Sequence, residues 1–295
     1  MSDNRVVLAL GYFDSVHIGH LQVLDSARDL ASKLSAKIVV FTFSGNLKKA
    51  LNNENGSCIF LHNERNEIFS ELGYKDVFFA PTTKEFLALD KRAFLDYLNN
   101  RYNICAYACG TDYKFGKNGL GDAEFLKEYA KDNDQQVQIV DIFQVENQKV
   151  STTLIKHLLS LGEIEKANNL LGRSYFVSGK VVSGRKVGCR IGFPTINLEH
   201  DIDKIRIKEG VYFGHIYLDG VRYKTIINYG TKPTFEQQES NIEAHILDYQ
   251  GNLYGKSVKL YFDGYLRDII KFDNSNQLCE QLKKDIDMVR ERNYD

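Results

Sequence analysis

Ten residues near the amino terminus, Gly11-Tyr-Phe-Asp-Ser-Val-His-Ile-Gly-His20, bring together the groups that nucleotide chemistry needs. They follow the apolar run Val6–Leu10 and precede an amphipathic stretch from about Leu21. A buried strand thus breaks into a glycine-containing loop with a helix behind it. The first turn of a helix presents N–H groups without intrahelical acceptors and the positive end of its dipole, which suits a phosphate. His17 and His20 beside that terminus could stabilise charge developing in phosphoryl or nucleotidyl transfer. Gly11, Phe13, Asp14 and Gly19 complete the candidate phosphate loop.

Five further segments carry candidate chemistry. Gly110-Thr-Asp-Tyr-Lys-Phe-Gly116 follows an apolar run and offers Gly110, Asp112 and Phe115. Val150-Ser-Thr-Thr-Leu-Ile-Lys156 opens a helical pattern, placing the hydroxyls of Ser151 and Thr152 and the cation Lys156 at an anion-binding terminus. Gly184, Gly188 and Gly192 lie among three cations in a loop able to approach a polyphosphate closely. Thr195 and Asn197, two apart at its end, are hard oxygen donors of the sort that hold Mg²⁺ with substrate phosphates. Glu243, on an otherwise apolar strand with His245 and Leu247 on its face, is a candidate general base. Arg267 could contact a phosphate or a ring system. Each has a plainer reading: an ordinary turn, an N-cap at Ser151 or Thr152, a basic surface turn, a solvent-facing glutamate, a salt bridge.

The elements that must position these residues differ between the two halves. Strands are expected at 5–10, 37–43, 76–80, 104–109 and 137–142, with helices near 18–34, 63–72, 90–101 and 122–132. Such alternation predicts a parallel sheet with helices on both faces, whose ligands bind at the carboxyl ends of the strands. One helix is expected from about Thr152 to Leu171, with Gly172 as its C-cap. Short runs at 175–182, 210–218, 223–229, 242–249 and 257–262, separated by turn signals such as Asp219-Gly220 and Asp263-Gly264, predict an antiparallel sheet or barrel. A final helix is expected over roughly 275–292. Two domains are expected, 1–172 and 173–295.

The whole chain sets the outer bounds. Its 295 residues can bury one large core or two ordinary ones, and 43% hydrophobic with 26% charged residues is a globular composition. A net charge of −1 gives no general attraction to nucleic acid or to a membrane surface. No secretory pattern opens the chain and no apolar run approaches the roughly 20 residues of a membrane helix, so the expected location is the cytoplasm. The cysteines number five and form no Cys-x-x-Cys pair. Cys105 and Cys109 are expected to share a strand face as small core residues. Oligomeric state is not encoded in any of these features.

Taken together, Phe13–His20, Gly110–Gly116, Ser151–Lys156, Gly192–Asn197, Asn228–Phe235 and Glu243–Asp248 resemble the bifunctional bacterial riboflavin kinase/FAD synthetase family over nearly the whole chain. The resemblance implies a Rossmann-like α/β nucleotidyltransferase domain of the HxGH type, followed by an all-β Greek-key barrel closed by a C-terminal helix. It implies that the barrel phosphorylates riboflavin to FMN with ATP, giving ADP, and that the first domain joins FMN to ATP, giving FAD and pyrophosphate. His17 and His20 would stabilise the transferring group, and Ser151, Thr152 and Lys156 would contact phosphate. Thr195 and Asn197 would bind Mg²⁺, and Glu243 would activate the riboflavin 5′-hydroxyl. Gly110, Asp112, Phe115 and Arg267 are the candidate flavin contacts.

The chain departs from the family pattern at Ser15, where glycine is usual, and at Ser44–Leu47, where a Pro-His-Pro segment is usual. It departs again at Lys156 and Cys189, where arginine is usual. These departures motivate one rival reading, a riboflavin kinase whose first domain only binds or regulates; the others are a non-catalytic flavin or nucleotide sensor and a cytidylyl- or adenylyltransferase acting on another phosphorylated substrate.

Overall fold

A computed structural model of the chain describes residues 4–52, 56–141, 143–145, 148–184, 192–233 and 238–292. By contact density the chain divides into two compact units, Met1–Thr152 and Thr153–Asp295.

The first unit is a five-stranded parallel sheet of β1 (Arg5–Leu10), β2 (Lys37–Phe43), β3 (Val77–Ala80), β4 (Asn103–Gly110) and β5 (Gln136–Val140), in the order β3-β2-β1-β4-β5. Helices α1 (Ile18–Lys33), α2 (Leu47–Asn52), α3 (His62–Glu71), α4 (Lys84–Leu87), α5 (Lys91–Arg101) and α6 (Ala123–Asp132) connect these strands. A small antiparallel pair, β6 (Gln144–Val145) and β7 (Gln148–Lys149), follows. Central β1 is an unbroken apolar run because helices cover both faces of such a sheet; Val7, Leu8 and Ala9 are fully buried. The chain order reverses between β1 and β4, so the carboxyl end of β1 is the switch point at which ligands of open α/β sheets bind.

One expectation fails inside β4. The register shifts between Val6 and Val7, whose partners are Ile104 and Ala106, so Cys105 is the extra residue of a bulge. Ile104, Tyr107 and Cys109 therefore share the core, while the Cys105 thiol faces the Val6 carbonyl at 3.4 Å. Burial first, then the charge of Asp112, pushes the Cys109 thiol up to about 12, which makes it inert packing.

The expected helix 152–171 is two helices, α7 (Thr152–Leu161) and α8 (Ile164–Leu171). Gly162, at φ 78°, breaks it, and Gly172, at φ 70°, ends α8 by donating to the Asn168 carbonyl. Within the second unit, Asn168 ties α8 to the strands that follow: its Nδ2 donates to Phe262 O at 2.9 Å and its Oδ1 accepts from Tyr175 N at 2.7 Å. In packing α8 thus groups with the barrel, whereas the sequence reading ended the first domain at 172.

The second unit closes into a barrel of β8 (Tyr175–Val182), β9 (Ile196–Glu199), β10 (Gly210–Leu218), β11 (Val221–Pro233), β12 (Gln238–Ile246) and β13 (Ser257–Arg267), in the order β10-β11-β12-β9-β8-β13. Short β9 is the strand that periodicity missed, since four residues carry too little alternation to read. The C-terminal helix (Ser275–Glu291) packs Val289 and Ile286 on Val211, Phe213 and Ile226.

Candidate functional site

The first unit holds a cavity of about 310 Å³ at the carboxyl ends of its central strands. Gly11, Phe13, His17, Gly19, His20, Gly110, Asp112, Ser151 and Thr152 all line it, so three segments far apart in sequence converge there. The loop after β1 is strained: Phe13 and the β-branched Val16 both have φ 44°, a region that costs such residues about 1–3 kcal/mol each. Burial holds them there, since Phe13 is 1% exposed and Val16 is not exposed at all. A Cβ on Gly11 would lie 2.4 Å from the Phe13 ring, so this arrangement requires glycine.

His17 is the N-cap of α1. Its Nδ1 accepts the His20 backbone N–H at 3.1 Å, so the neutral imidazole carries its proton on Nε2. The His20 ring stacks on it with centroids 3.5 Å apart. Asp112 lines the cavity in an ion pair with Lys149 at 2.5 Å.

Two predicted residues of this unit lie elsewhere. Asp14 is buried beneath the loop, outside the cavity wall. Phe115 belongs to the hydrophobic core, against Phe94 and Phe125. Paired backbone hydrogen bonds between Phe115 and Gly121 turn it inward, and Tyr113 and Lys114 line the cavity in its place. Lys156 falls in the second unit, half-buried on α7.

Arg65 is a feature the sequence did not announce. A cation in mid-helix ordinarily faces solvent, yet Arg65 on α3 is 2% exposed. Its Nη1 donates to Tyr12 O at 3.5 Å and to Thr42 Oγ1 at 3.3 Å, and its Nη2 donates to Phe43 O at 2.8 Å and Ser44 O at 3.3 Å. It thereby staples the ends of β1 and β2 and fixes the start of the divergent Ser44–Leu47 segment. Tyr12 completes that fixture by accepting the Leu47 N–H at 3.3 Å; burial, aided by the charge of Asp14, holds its phenol well above the ordinary range and neutral. Arg65→Met is expected to lower the stability of the first unit by about 2–4 kcal/mol, since it leaves buried carbonyls unbonded. The check is the loss of first-unit activity on heating, with the second-unit activity as internal reference. Wild-type inactivation temperatures would remove this role.

In the barrel, strand register builds the second site. Glu243 on β12 pairs with Asn197 on β9 and with Asn228 on β11. Directly opposed residues face the same side, with Cβ atoms about 4.5–5.5 Å apart. Asn241 Nδ2 donates to Glu243 Oε1 at 3.0 Å and orients the carboxylate. A Cβ on Gly184 would lie 2.1 Å from Asn197 Nδ2, so only glycine lets that segment lie against the amide. Asn197 is 7% exposed, and among the described residues nothing bonds its side chain. His245 donates Nδ1–H to Pro194 O at 2.7 Å and so steadies the approach to Thr195.

Thr195 also borders a cavity of about 530 Å³ whose other walls include Ile196, Tyr249, Leu253 and Tyr254, an apolar and aromatic lining absent from the sequence reading. Gly192 is exposed at φ 84°, and Gly188 lies outside the described residues. Arg267 is committed elsewhere: it grips fully buried Asp285 of the C-terminal helix, Nε at 3.1 Å and Nη2 at 2.7 Å. Its fork anchors that helix through an ion pair to Asp285.

Thr195, Asn197 and Glu243 supply only hard oxygen donors, and they suit a divalent cation held jointly with substrate phosphates. Among the described residues no group of three His, Cys, Asp or Glu could hold a metal by itself. No helix among them is long and apolar enough to cross a membrane.

A parallel-sheet unit with paired histidines at a helix N-terminus, followed by a six-stranded barrel with a carboxylate beside hard oxygen donors, defines a two-site nucleotide-using transferase. The FAD synthetase family model matches residues 1–154 and the riboflavin kinase model residues 171–293. The bifunctional riboflavin kinase/FMN adenylyltransferase of Listeria monocytogenes is 32% identical, covering 96% of this chain and 91% of that protein. Its Bacillus subtilis counterpart is 30% identical over 95% and 90%. A Streptococcus pneumoniae crystal structure, described as that of a macrolide-efflux protein, superposes with a TM-score of 0.91 at 31% identity, covering 99% of this chain and 96% of that one. The chain belongs to the bifunctional riboflavin kinase/FMN adenylyltransferase family, enzymes of flavin cofactor biosynthesis, and has both catalytic domains. The expectation drawn from the joint motifs is borne out.

Proposed function

We propose that the barrel transfers the γ-phosphoryl group of ATP to the riboflavin 5′-hydroxyl, leaving ADP. The first-unit cavity then joins the FMN phosphate to the α-phosphorus of a second ATP, releasing pyrophosphate and giving FAD, in the cytoplasm. Glu243 takes the proton from the 5′-hydroxyl as that oxygen attacks. Thr195 and Asn197 would hold Mg²⁺ together with the phosphates of ATP, and the ion would supply neutralisation of phosphate charge. The aromatic cavity beside Thr195 takes the base of ATP. In the first unit, His17 Nε2–H, His20 and the hydroxyls and N–H groups of Ser151 and Thr152 face the phosphates, since nucleotidyl transfer depends on positioning and charge stabilisation. Gly110 and Asp112 border the flavin.

The observation that carries this reading is the convergence of the His17–His20, Gly110–Asp112 and Ser151–Thr152 segments on one cavity. The test is chromatographic separation of riboflavin, FMN and FAD after incubation with ATP and Mg²⁺, starting from riboflavin and, separately, from FMN. Riboflavin is expected to yield FMN and then FAD, FMN to yield FAD directly, and a chelator to stop both. FMN that stays FMN would leave a kinase with a regulatory first unit.

A further inference from the structure

Ser15 has no place in the cavity wall, yet it is fully buried directly behind it. Its Oγ lies 2.9 Å from Oγ1 of Thr152, a contact that spans 137 residues of sequence. Thr152 is the first residue of α7 and does line the cavity. The contact thus joins the loop after β1 to the segment that brings the second set of phosphate donors.

The hydrogen-bond network assigns the direction of this contact. A hydroxyl has one proton to place and two acceptor positions. Among the described residues, Thr152 is the one partner of the Ser15 side chain. Were Thr152 to donate, the Ser15 proton would stay buried without an acceptor. With Ser15 donating, its proton is satisfied and the Thr152 proton is turned away from Ser15. A hydroxyl that accepts a hydrogen bond is also polarised into a better donor.

We infer that Ser15 is a positioning residue for FMN adenylylation: it donates to Thr152 Oγ1 and so aims the Thr152 hydroxyl proton at the phosphoryl group undergoing transfer. The inference rests on the reading of Thr152 as a phosphate donor. Position matters here because Ser15 sits between Phe13 and Val16, the two residues with φ 44°. The tether pins that strained loop to the start of α7, so His17 and Thr152 keep a fixed relation. Donors held in place before the reaction are worth more than donors that must reorient during it.

The test uses the full-length chain with Ser15→Ala, Ser15→Gly, Thr152→Val and the Ser15→Ala/Thr152→Val pair, with both activities measured on each preparation. Ser15→Ala and Ser15→Gly are expected to lower kcat for FAD formation about tenfold, with KM for FMN within about twofold and riboflavin phosphorylation unchanged. Thr152→Val is expected to lose at least as much, and the pair no more than Thr152→Val alone, because no hydroxyl is left to aim. Wild-type kcat in Ser15→Ala beside a defective Thr152→Val overturns the positioning role alone. Wild-type kcat in Thr152→Val overturns the phosphate-donor reading beneath it. Losses that add in the pair show Ser15 acting without Thr152, and they overturn the relay.

Discussion

Glu243→Gln is expected to cut riboflavin phosphorylation by about 10²–10⁴-fold, the usual contribution of a positioned general base. That corresponds to about 3–5 kcal/mol of lost transition-state stabilisation. Glutamine keeps the shape of the side chain and can still meet the Asn241 amide 3.0 Å away, so the barrel should retain its stability. What it cannot do is accept the 5′-hydroxyl proton as the alkoxide forms. The loss should appear in kcat, with KM for ATP nearly unchanged, because Thr195, Asn197 and the aromatic cavity wall are untouched. FAD formation from supplied FMN should proceed at the wild-type rate, since that cavity is built wholly from residues of the first unit. Starting from riboflavin, the variant should therefore accumulate neither FMN nor FAD, and added FMN should restore FAD. A Glu243→Gln enzyme that makes FMN within about tenfold of the wild-type rate would remove Glu243 as the base.

Which features were legible in the sequence follows from how local their causes are. The strand, loop and helix around Gly11–His20 could be read because an apolar run, a glycine-containing loop and an N-terminal cap lie within about two dozen residues. The opposition of Glu243 and Asn197 could not, because it is a register between strands 46 positions apart, and β9 is only four residues long. Phe115 illustrates a second limit. Gly110–Gly116 announces a turn after a strand, but the bridge between Phe115 and Gly121 decides which aromatic goes inward. Arg65 and Arg267 illustrate a third. An arginine reads as an exposed cation or a phosphate contact until its neighbours are known; here four oxygens from the loop after β1, from β2 and from the residue after β2 hold one, and Asp285 holds the other. The departures that set the first domain apart were visible as letters, but their consequences were not. Ser15 has a partner in Thr152, and the Ser44–Leu47 segment is held by Arg65 and Tyr12.

His17 permits a sharper experiment than deletion, because its two nitrogens do different work. Nδ1 caps α1 through the His20 N–H, and Nε2, which carries the proton, belongs to a ring that lines the cavity. Asparagine is among the best N-cap residues, so His17→Asn should preserve the cap while removing the Nε2 donor. Alanine removes both. FAD formation from FMN should fall about 10²–10³-fold in either variant, the cost of losing one donor aimed at developing charge. The two should part in stability: His17→Ala should lose a further 0.5–2 kcal/mol, roughly the worth of a cap, and His17→Asn little. Riboflavin phosphorylation gives the internal control, being carried by a different unit. Equal activity loss with unequal melting would assign the chemistry to Nε2 and the fold to Nδ1. If His17→Asn instead kept FAD formation within about threefold of wild type, the imidazole would be a cap and nothing more, and the transferring charge would fall to His20 and the α7 terminus.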